Sequence, residues 1–547
     1  MKASMMNRKP IGLWHGDHTP KAGDDEINKA IFDVNKPVFL LGKNGQIAVS
    51  QTGAIFFGKN GGPESGGYPL VAYAPKLGPE DLGEAVFKEK YNIKYPYICG
   101  EMANGITSVK MVEEAGKAGM LGFFGAGGLS LDKIEKAIRE LNEINIPYGS
   151  NLIHNPNDPE QESATVNLYL SLKVRLISAS AYLNLTPSVV YLRVKGIHED
   201  DKGNIVCPNK IIAKVSRIEI AQKFLSPPPE KLIYHLLDQK LITHKEADLA
   251  KNIPMADDIT AEADSGGHTD NRPAISLLPT IIALRDEMVE KFNYNFEPSV
   301  GLGGGIGTPY SAAAAFAMGA AYILTGSINQ PCREAATSET VKTLLVQAKQ
   351  ADVAMAPAAD MFELGAKVQV LKRGTMFAFR ASKLYDLYNK YEKYEDMPNE
   401  QRLILERDFF KNSFEDEWEQ TKSYFYKTDP KQITRGEKDA KHKMALVFRS
   451  YLGRSSMWAI SGDPSRIMDY QIWCGPSIGA FNQWVKGSFL ENLENRKTVT
   501  IAMNLLLGAA IITRTNWIKN QGVLLSPRVG KYLPLSLYEI NDIIQKH

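Results

Sequence analysis

A histidine and a pair of glycines stand together in AEADSGGHTDNRP, residues 261–273. Gly266 and Gly267 would let the backbone lie close to a bound group, because glycine has no side chain. His268 can donate a hydrogen bond or transfer a proton near neutral pH. A structural histidine that caps the following loop would show the same pattern. We therefore treat His268 as a candidate catalytic residue that needs support from the rest of the chain.

Two further segments have the composition of a phosphate site. GLGGGIGTP (301–309) comes directly before the helix-forming stretch YSAAAAFAMGAA, and LTGSINQP follows it in the chain. Glycine N–H groups can approach an anion closely, and a helix N-terminus favours negative charge. Tight turns that pack a strand on a helix are the alternative explanation. The candidate phosphate-binding residues are Gly303, Gly304, Gly305, Thr325, Gly326 and Ser327.

The sequence argues against two common kinds of phosphate site, the P-loop and the dinucleotide-binding motif. The GKS or GKT ending of a P-loop is absent, and GLGGGIG lacks a suitable acidic residue about 20 residues further on, as a dinucleotide-binding motif requires. A tightly held phosphorylated cofactor such as FMN fits better. In GEMANG, the small residues Ala103 and Gly105 would let the backbone meet a flat ring, and Asn104 has amide donors. Lys214 would neutralise ring or phosphate charge, unless its head group reaches solvent.

Eight short apolar runs alternate with helix-forming stretches and must position these residues. Alternation of this kind predicts parallel strands, and eight units predict an α/β fold with a (β/α)8 TIM barrel. An open doubly wound sheet is the alternative. In a barrel the site lies at the carboxyl ends of the strands, and the loops after strands seven and eight commonly bind phosphate. The predicted strands lie within 95–102, 120–127, 148–155, 176–182, 211–216, 258–266, 298–305 and 321–327.

The remaining sequence predicts additions to this barrel. Residues 1–90 form a small β-containing unit, and residues 91–380 contain the barrel. An inserted helical segment, 217–254, lies after the fifth strand and serves either as a lid over the site or as an extra packed layer. Residues 381–547 are mostly α-helical. Within them, the glycine- and aromatic-rich stretch 468–488 is expected to pack back toward the barrel mouth.

Composition excludes several classes of protein. The 547 residues include 64 Lys and Arg against 62 Asp and Glu, a net charge of +2, so no overall field favours nucleic acid or an anionic membrane. The four cysteines are far apart and form no CxxC pair. We therefore expect no metal site and no disulfide framework, and a reducing, cytoplasmic location.

Membrane insertion is not expected either. The N-terminus lacks an apolar core of signal-peptide length. The most apolar run, VTIAMNLLLGAAII (499–512), is shorter than the roughly 20 residues of a membrane span, and it contains Asn504. We interpret this run as a buried helix.

Taken together, GEMANG, NLIHNP, AEADSGGH, GLGGGIGTP and LTGSINQP resemble the nitronate monooxygenase (nitropropane dioxygenase)-like flavoprotein superfamily. The C-terminal extension, with DYQIWCGPSIGAFNQWVKGS, is similar to one branch, the trans-acting enoyl reductases of polyketide and polyunsaturated fatty acid synthases. The resemblance runs from about residue 30 to near the C-terminus. It implies a barrel that binds FMN, takes electrons from NADPH, and reduces an α,β-unsaturated thioester on an acyl carrier protein.

The resemblance also implies roles for individual residues. Ala103, Asn104 and Asn151 would contact the flavin, and the glycine-rich and hydroxyl residues named above would hold its phosphate. His268 matches the family's active-site histidine and would stabilise the thioester oxygen or protonate the α-carbon. Lys214 stands where other branches often have a small apolar residue.

Three other functions fit parts of the pattern. A nitronate monooxygenase would pass electrons from the reduced flavin to oxygen. A non-catalytic flavoprotein would serve a synthase as a scaffold, with the helical addition as its docking surface. A phosphate-binding aldolase or isomerase would contain no flavin. A homodimer is compatible with the sequence, which does not determine the oligomeric state.

Overall fold

Eight parallel strands close into a barrel in the computed structural model, which describes residues 4–5, 10–56, 67–155 and 158–545. Seven of the strands fall within their predicted runs and the fifth begins one residue before its run, so the predicted (β/α)8 barrel is confirmed. An open sheet is excluded because β8 pairs in parallel with β1, with Leu324 opposite Ile98. The strands are β1 (Tyr97–Cys99), β2 (Leu121–Phe124), β3 (Tyr148–Ile153), β4 (Leu176–Ser180), β5 (Lys210–Val215), β6 (Asp258–Glu262), β7 (Ser299–Gly303) and β8 (Ile323–Thr325).

Amphipathic helices surround the barrel. In Leu131–Ile144 the apolar residues Ile134, Ile138 and Leu141 recur every three to four positions and are buried. The helix ends at Asn145, which adopts the left-handed conformation common at helix C-termini. The other helices of this layer are Val109–Lys117, Pro159–Ser171, Pro187–Val194, Ala274–Phe292, Pro309–Ala317 and Glu339–Val346.

The segment inserted after β5 belongs to the outer layer. Its helices are Ile218–Leu225, Glu230–Asp238 and His244–Ala250. The first packs on Ala274–Phe292 and buries Phe224, and the second packs on the helix before β5. The segment is helical as predicted, but these contacts support the packed-layer interpretation rather than the lid, because its apolar faces are used against the barrel's own helices. A small hairpin, His198–Glu199 with Ile205–Val206, also precedes β5.

The N-terminal region forms an antiparallel sheet. Asn44 and Gly45, at the tip of its central hairpin, have φ of 49° and 75°, as a two-residue turn between right-twisted strands requires. Helix Asp24–Phe32 packs on the sheet, and Ser4–Met5 pairs with Val523–Leu524. Helix Ala85–Tyr91 packs instead on the barrel, where Phe87 stacks on Tyr322. The strand order is Lys21–Ala22, Gln46–Ser50, Val38–Lys43, Tyr68–Ala74, Gly12–His15 and Ala54–Phe56.

After the barrel, the chain forms a hairpin and then a helical region with its own core. Strands Val353–Pro357 and Lys367–Leu371 pair antiparallel, and the second of them also pairs with Gly267–His268 in the loop after β6. We call residues 353–371 the rim hairpin. The core of the helical region includes Phe362, Phe410 and Phe448. Its helices are Phe377–Lys390, Asn399–Ile404, Leu405–Phe410 (a π-helix), Phe414–Thr428, Pro430–Lys438 and Ala440–Ser461.

The last helices return to the barrel: Ser477–Val485, Thr498–Asn520 and Leu537–Gln545. Among the described helices, Thr498–Asn520 alone is long and apolar enough to cross a membrane by length and composition, and 89% of its most apolar stretch is buried within the protein. It packs on Pro309–Ala317, where Gly508 leaves no room for a Cβ beside Pro309. The predicted buried helix is confirmed.

Arg514, on this helix, connects it to the N-terminal region. Its buried guanidinium donates to the carbonyl oxygens of Ile31, Asp33 and Lys36, at 2.5–2.8 Å. Replacing it with methionine would leave three carbonyls without this donor.

We expect Arg514→Met to lower the free energy of unfolding by about 3 kcal/mol, the scale for hydrogen bonds to a buried charged group. Urea denaturation followed by circular dichroism measures the change. Lys519→Met, on an exposed position of the same helix, is the control and should change stability by less than about 0.5 kcal/mol. Equal effects from both variants would contradict this role of Arg514.

Candidate active site

A cavity of about 390 Å³ lies at the carboxyl ends of the barrel strands, within the usual size of small-molecule sites. It brings together most of the residues that the sequence predicted. Gly105, Gly267 and Gly305 are the predicted residues that do not line it. The predicted residues that do are Ala103, Asn104, Asn151, Lys214, Gly266, His268, Gly303, Gly304, Thr325, Gly326 and Ser327.

Lys214 is paired with two carboxylates inside this cavity. Its Nζ lies 3.0 Å from Glu101 Oε1 and 3.3 Å from Glu262 Oε1. Burial disfavours the charged lysine, but the two carboxylates outweigh it and raise the pKa of Lys214 above its ordinary value. The side chain is 16% exposed, and its head group pairs with these carboxylates at the cavity surface. Neither glutamate was predicted from the sequence. Both stand at the carboxyl ends of strands, in GEM and AEA, so the rule that a barrel's site lies at these ends would have found them.

Three buried acceptors in the cavity lack a protein partner. Among the described residues, Glu101 Oε2, Gln330 Oε1 and Thr337 Oγ1 line the cavity and have no hydrogen-bond partner. A buried polar atom without a partner costs about 1–3 kcal/mol, so such atoms mark places where a ligand or water completes the structure. A ligand with several hydrogen-bond donors would satisfy them.

His268 is held from two sides. Its Nε2 lies 3.0 Å from Asp360 Oδ2, in the rim hairpin, and the edge of its ring meets Trp473, with centroids 5.6 Å apart. Burial alone would lower the pKa of His268, but the hydrogen bond and charge of Asp360 raise it above its ordinary value. Asp360 and Trp473 were not predicted from the sequence, because they lie roughly 90 and 200 residues further along the chain.

The glycine pair before His268 makes room for the C-terminal segment. A Cβ on Gly266 would lie 2.6–2.8 Å from backbone atoms of Cys474. Gly267 has φ of 78°, and a Cβ there would lie 2.8 Å from the Trp473 ring. Gly266 lines the cavity, as predicted. Gly267 does not, because it faces this indole, so its need for glycine is steric.

The glycine-rich loop after β7 opens toward a helix N-terminus. Gly304 has φ of 85°, and a Cβ there would lie 2.6 Å from Ala263 O. Gly305 has φ of 73°, but nothing lies within 4 Å of its Cβ position. The helix Pro309–Ala317 comes next, with the Thr308 side chain accepting from Ser311 N as its cap. The loop therefore exposes backbone beside the positive end of a helix dipole.

The two predicted hydroxyl donors after β8 differ. Thr325 Oγ1 is bonded to Tyr97 Oη and accepts from Asn329 Nδ2, so it is engaged inside the barrel. These bonds compete with its expected use as a donor to phosphate, which stays a prediction. Ser327 Oγ accepts from Gly475 N at 2.9 Å, which leaves its hydroxyl hydrogen free to donate.

The predicted ring contacts come from the loop after β1 and from strand β3. Asn104 has φ of 59°, and its N–H donates to Gly127 O. Asn151 Nδ2 donates to Ser178 O and Ser180 Oγ, so its carbonyl oxygen is what remains for a bound group. Both residues border the cavity, and the Asn151 amide is fixed by the neighbouring strand.

The wall opposite the barrel comes from the rim hairpin and the C-terminal part of the chain. Trp473 and Ser477 line the cavity, which confirms that the 468–488 stretch packs back toward the barrel mouth. The wall is largely apolar, and its apolar lining residues are Val341, Met355, Met361, Ala366, Ala459, Ile460 and Ile472.

Residues 84–376 match the sequence profile of the nitronate monooxygenase family, so the chain belongs to this family, which consists of flavoproteins. Residues 391–470 match a second profile, that of the helical domain inserted in acyl-carrier-protein S-malonyltransferases. The first match covers the barrel, and the second covers most of the helical region.

Individual relatives are similar over most of the chain. It is 48% identical over 436 residues to the polyketide biosynthesis protein PksE of Bacillus subtilis, covering 79% of this chain and 56% of PksE. It is 44% identical over 449 residues to a component of the polyunsaturated fatty acid synthase of Thraustochytrium sp., covering 80% of this chain and 30% of that component. The chain thus spans about half or less of the length of these curated relatives.

A solved structure is similar as well. The enoyl reductase domain of MlnA, from the macrolactin biosynthesis cluster of Bacillus amyloliquefaciens, superposes with a TM-score of 0.76 at 39% sequence identity. The alignment covers 81% of this chain and 99% of that domain. The likeness therefore extends beyond the barrel into the additions around it.

The two left-handed glycines after β7 provide a matched test of this loop. Alanine at either position adopts an unfavourable left-handed backbone, at about 1–2 kcal/mol. Only at Gly304 does the new Cβ also meet backbone oxygen. We expect Gly304→Ala to lower the melting temperature by several degrees more than Gly305→Ala. Differential scanning calorimetry measures both, and equal losses would show that the loop is not packed in this way.

Proposed function

We propose that the chain is an FMN-dependent enoyl reductase acting in trans. It would use NADPH to reduce an α,β-unsaturated acyl thioester on an acyl carrier protein during polyketide or polyunsaturated fatty acid synthesis. One observation carries the proposal. His268, a proton donor held by a carboxylate, lies in the same cavity as the phosphate-type loops after β7 and β8. The similarity to an enoyl reductase domain over nearly that domain's whole length supports it.

The residues present fit FMN. Gly303, Gly304 and Ser327 would hold the phosphate, with the dipole of the helix after β7 favouring its charge. Ala103, Asn104 and Asn151 would border the ring. The unpartnered acceptors Glu101 Oε2 and Gln330 Oε1 suit the N–H and ribityl hydroxyl donors of a flavin. When bound, FMN supplies hydride transfer between NADPH and the β-carbon of the enoyl group.

His268 would stabilise the negative charge and supply the proton during reduction of the enoyl group, the second half of the proposed reaction. Hydride addition at the β-carbon places negative charge on the thioester oxygen, and the α-carbon then needs a proton. Because Asp360 raises the pKa of His268, more of the ring carries a proton near neutral pH. A protonated ring can stabilise the oxygen and donate to carbon.

The apolar wall supports an acyl substrate. It is built of alanine, methionine and branched aliphatic side chains, and most of them lie outside the barrel. Such a surface would bury an acyl chain and leave the polar strand ends for the flavin and thioester. Relatives are named for polyketide biosynthesis and polyunsaturated fatty acid synthesis, and the helical region matches a domain of acyl-carrier-protein S-malonyltransferases, so we propose an acyl carrier protein as the partner.

An anaerobic visible spectrum tests this function directly. Purified protein should show an oxidised flavin band, lose it on addition of NADPH, and recover it on addition of a crotonyl thioester. Loss without recovery would instead favour transfer to oxygen or another acceptor. A flavin band that NADPH never bleaches would favour a non-catalytic flavoprotein. A well-folded protein without a flavin band would contradict the FMN assignment.

Removal of the imidazole should separate the two half-reactions. We expect His268→Ala to retain the flavin and to be reduced by NADPH at a similar rate. Reoxidation by the crotonyl thioester should slow by about 10²–10⁴-fold, the usual contribution of a positioned acid. Stopped-flow absorbance measures both steps, and unchanged reoxidation would dismiss His268 as the proton donor.

The acyl wall can be tested by narrowing it. Ala366 lines the cavity from the rim hairpin and is half-buried, so a larger side chain would extend into open space. We expect Ala366→Phe to lower kcat/KM about tenfold or more for a 12-carbon enoyl thioester and to change it little for the crotonyl thioester. Equal losses for both chain lengths would place the acyl chain elsewhere.

A further inference from the structure

We infer that Asp360 is a positioning residue for His268: its carboxylate holds Nε2 of the ring, so that Nδ1 is the nitrogen that delivers the proton. This inference rests on the proposed reductase function and names the proton path within the same site. It also means that the rim hairpin, which comes after the barrel in sequence, completes the barrel's active site.

The hairpin holds His268 by both backbone and side chain. Its second strand pairs antiparallel with the loop after β6, with His268 opposite Val368. Its loop supplies Asp360, whose Oδ2 lies 3.0 Å from His268 Nε2. The other carboxylate oxygen, Oδ1, accepts from Met361 N at 3.0 Å, which fixes the plane of the carboxylate. The distance between the two side chains is therefore set by β-sheet pairing.

The opposite side of the ring is also fixed. Trp473 meets the ring edge-on, at 77° between the planes. With its amide oriented so that both atoms are satisfied, Gln471 accepts from Trp473 Nε1 at 2.7 Å. The backbone of Cys474 packs against Gly266, so the indole cannot withdraw without opening this contact. His268 thus has one orientation, between a carboxylate and an indole.

This orientation decides which nitrogen faces the ligand. In the part of the chain that the structure describes, no protein group forms a hydrogen bond with His268 Nδ1, while Nε2 is taken by Asp360. A doubly protonated ring would give its Nδ1 proton to the α-carbon and become the neutral Nε2–H tautomer, still bonded to Asp360. The ring loses one proton and the α-carbon gains it, so the step balances without the movement of another group.

The surrounding charges make Asp360 the main control of this ring. Burial lowers the pKa of His268, and so does Lys214; Glu262 raises it. Asp360 is the largest of the influences that raise it, by hydrogen bond and by charge. Without the carboxylate, burial would dominate, and the ring would lose its proton at lower pH. An aspartate serving only to pack the loop would not have this effect.

The decisive measurement is the titration of His268 in the flavin-loaded protein. Histidine labelled with ¹³C at Cε1 reports each ring by NMR, and His268→Gln identifies the relevant signal. We expect Asp360→Asn to lower the titration midpoint by about 1–3 pH units, the range for loss of an adjacent opposite charge. Asp360→Glu should restore most of it. An unchanged midpoint in Asp360→Asn would overturn the inference.

Glu363 provides a matched control in the same loop. Its carboxylate also pairs with a histidine, His442, at 3.2 Å, but it does not contact His268. Glu363→Gln should leave the His268 midpoint at the wild-type value, and a shift as large as that of Asp360→Asn would overturn the specific role of Asp360. If Asp360→Asn does not fold, Asp360→Ser supplies the same loss of carboxylate in a smaller side chain.

The pH profile of reoxidation gives a second readout. In single turnovers, the midpoint for reoxidation by crotonyl thioester should fall in Asp360→Asn by the same amount as the NMR midpoint, while reduction by NADPH is unchanged. An unshifted profile would overturn the proton path. If the wild type itself is not reoxidised by the thioester, the proposed function fails, and the NMR titration still decides whether Asp360 controls His268.

Discussion

The architecture of the site depends on a short piece of β-pairing, two residues long, outside the barrel. Gly267 and His268 leave the end of β6 and pair with the rim hairpin. Peptide groups at a buried strand end need partners, and the hairpin provides them. Because this pairing anchors the hairpin on the barrel mouth, the helical region behind it is held in one place. The cavity then has two walls instead of one.

The same pairing explains the two glycines before His268. The C-terminal segment pairs with the hairpin at Val370 and Trp473, both segments pack on the β6 loop, and backbone atoms of Cys474 come within reach of any Cβ on Gly266. A larger residue would push the segment away and remove Trp473 from the histidine. The pattern SGGH is therefore a packing requirement as well as a chemical one.

Electrostatics inside the barrel reflect a second constraint. Lys214 is mostly buried, and a charge withdrawn from water needs compensation. Glu262 provides it from the neighbouring strand β6, and Glu101 provides it from the end of β1, which is not a neighbour of the strand that carries the lysine. Two carboxylates around one lysine leave Glu101 Oε2 without a partner among the residues that the structure describes. Compensation of the buried lysine thus produces an acceptor that a donor-rich ligand can use.

The sequence by itself determined the barrel and a set of residues at its carboxyl end, most of which line the cavity. Alternating apolar runs and amphipathic helices are local patterns, and the rule that sites lie at strand ends then selected Lys214, Gly303 and His268. Only the tertiary structure decided the rest. Asp360 and Trp473 reach His268 from distant parts of the chain, and the Thr325 hydroxyl is taken by Tyr97 and Asn329. The local spacing of apolar residues determines whether a segment is a helix or a strand. The direction of a side chain and the identity of its partner depend on contacts between distant segments, which form only on folding.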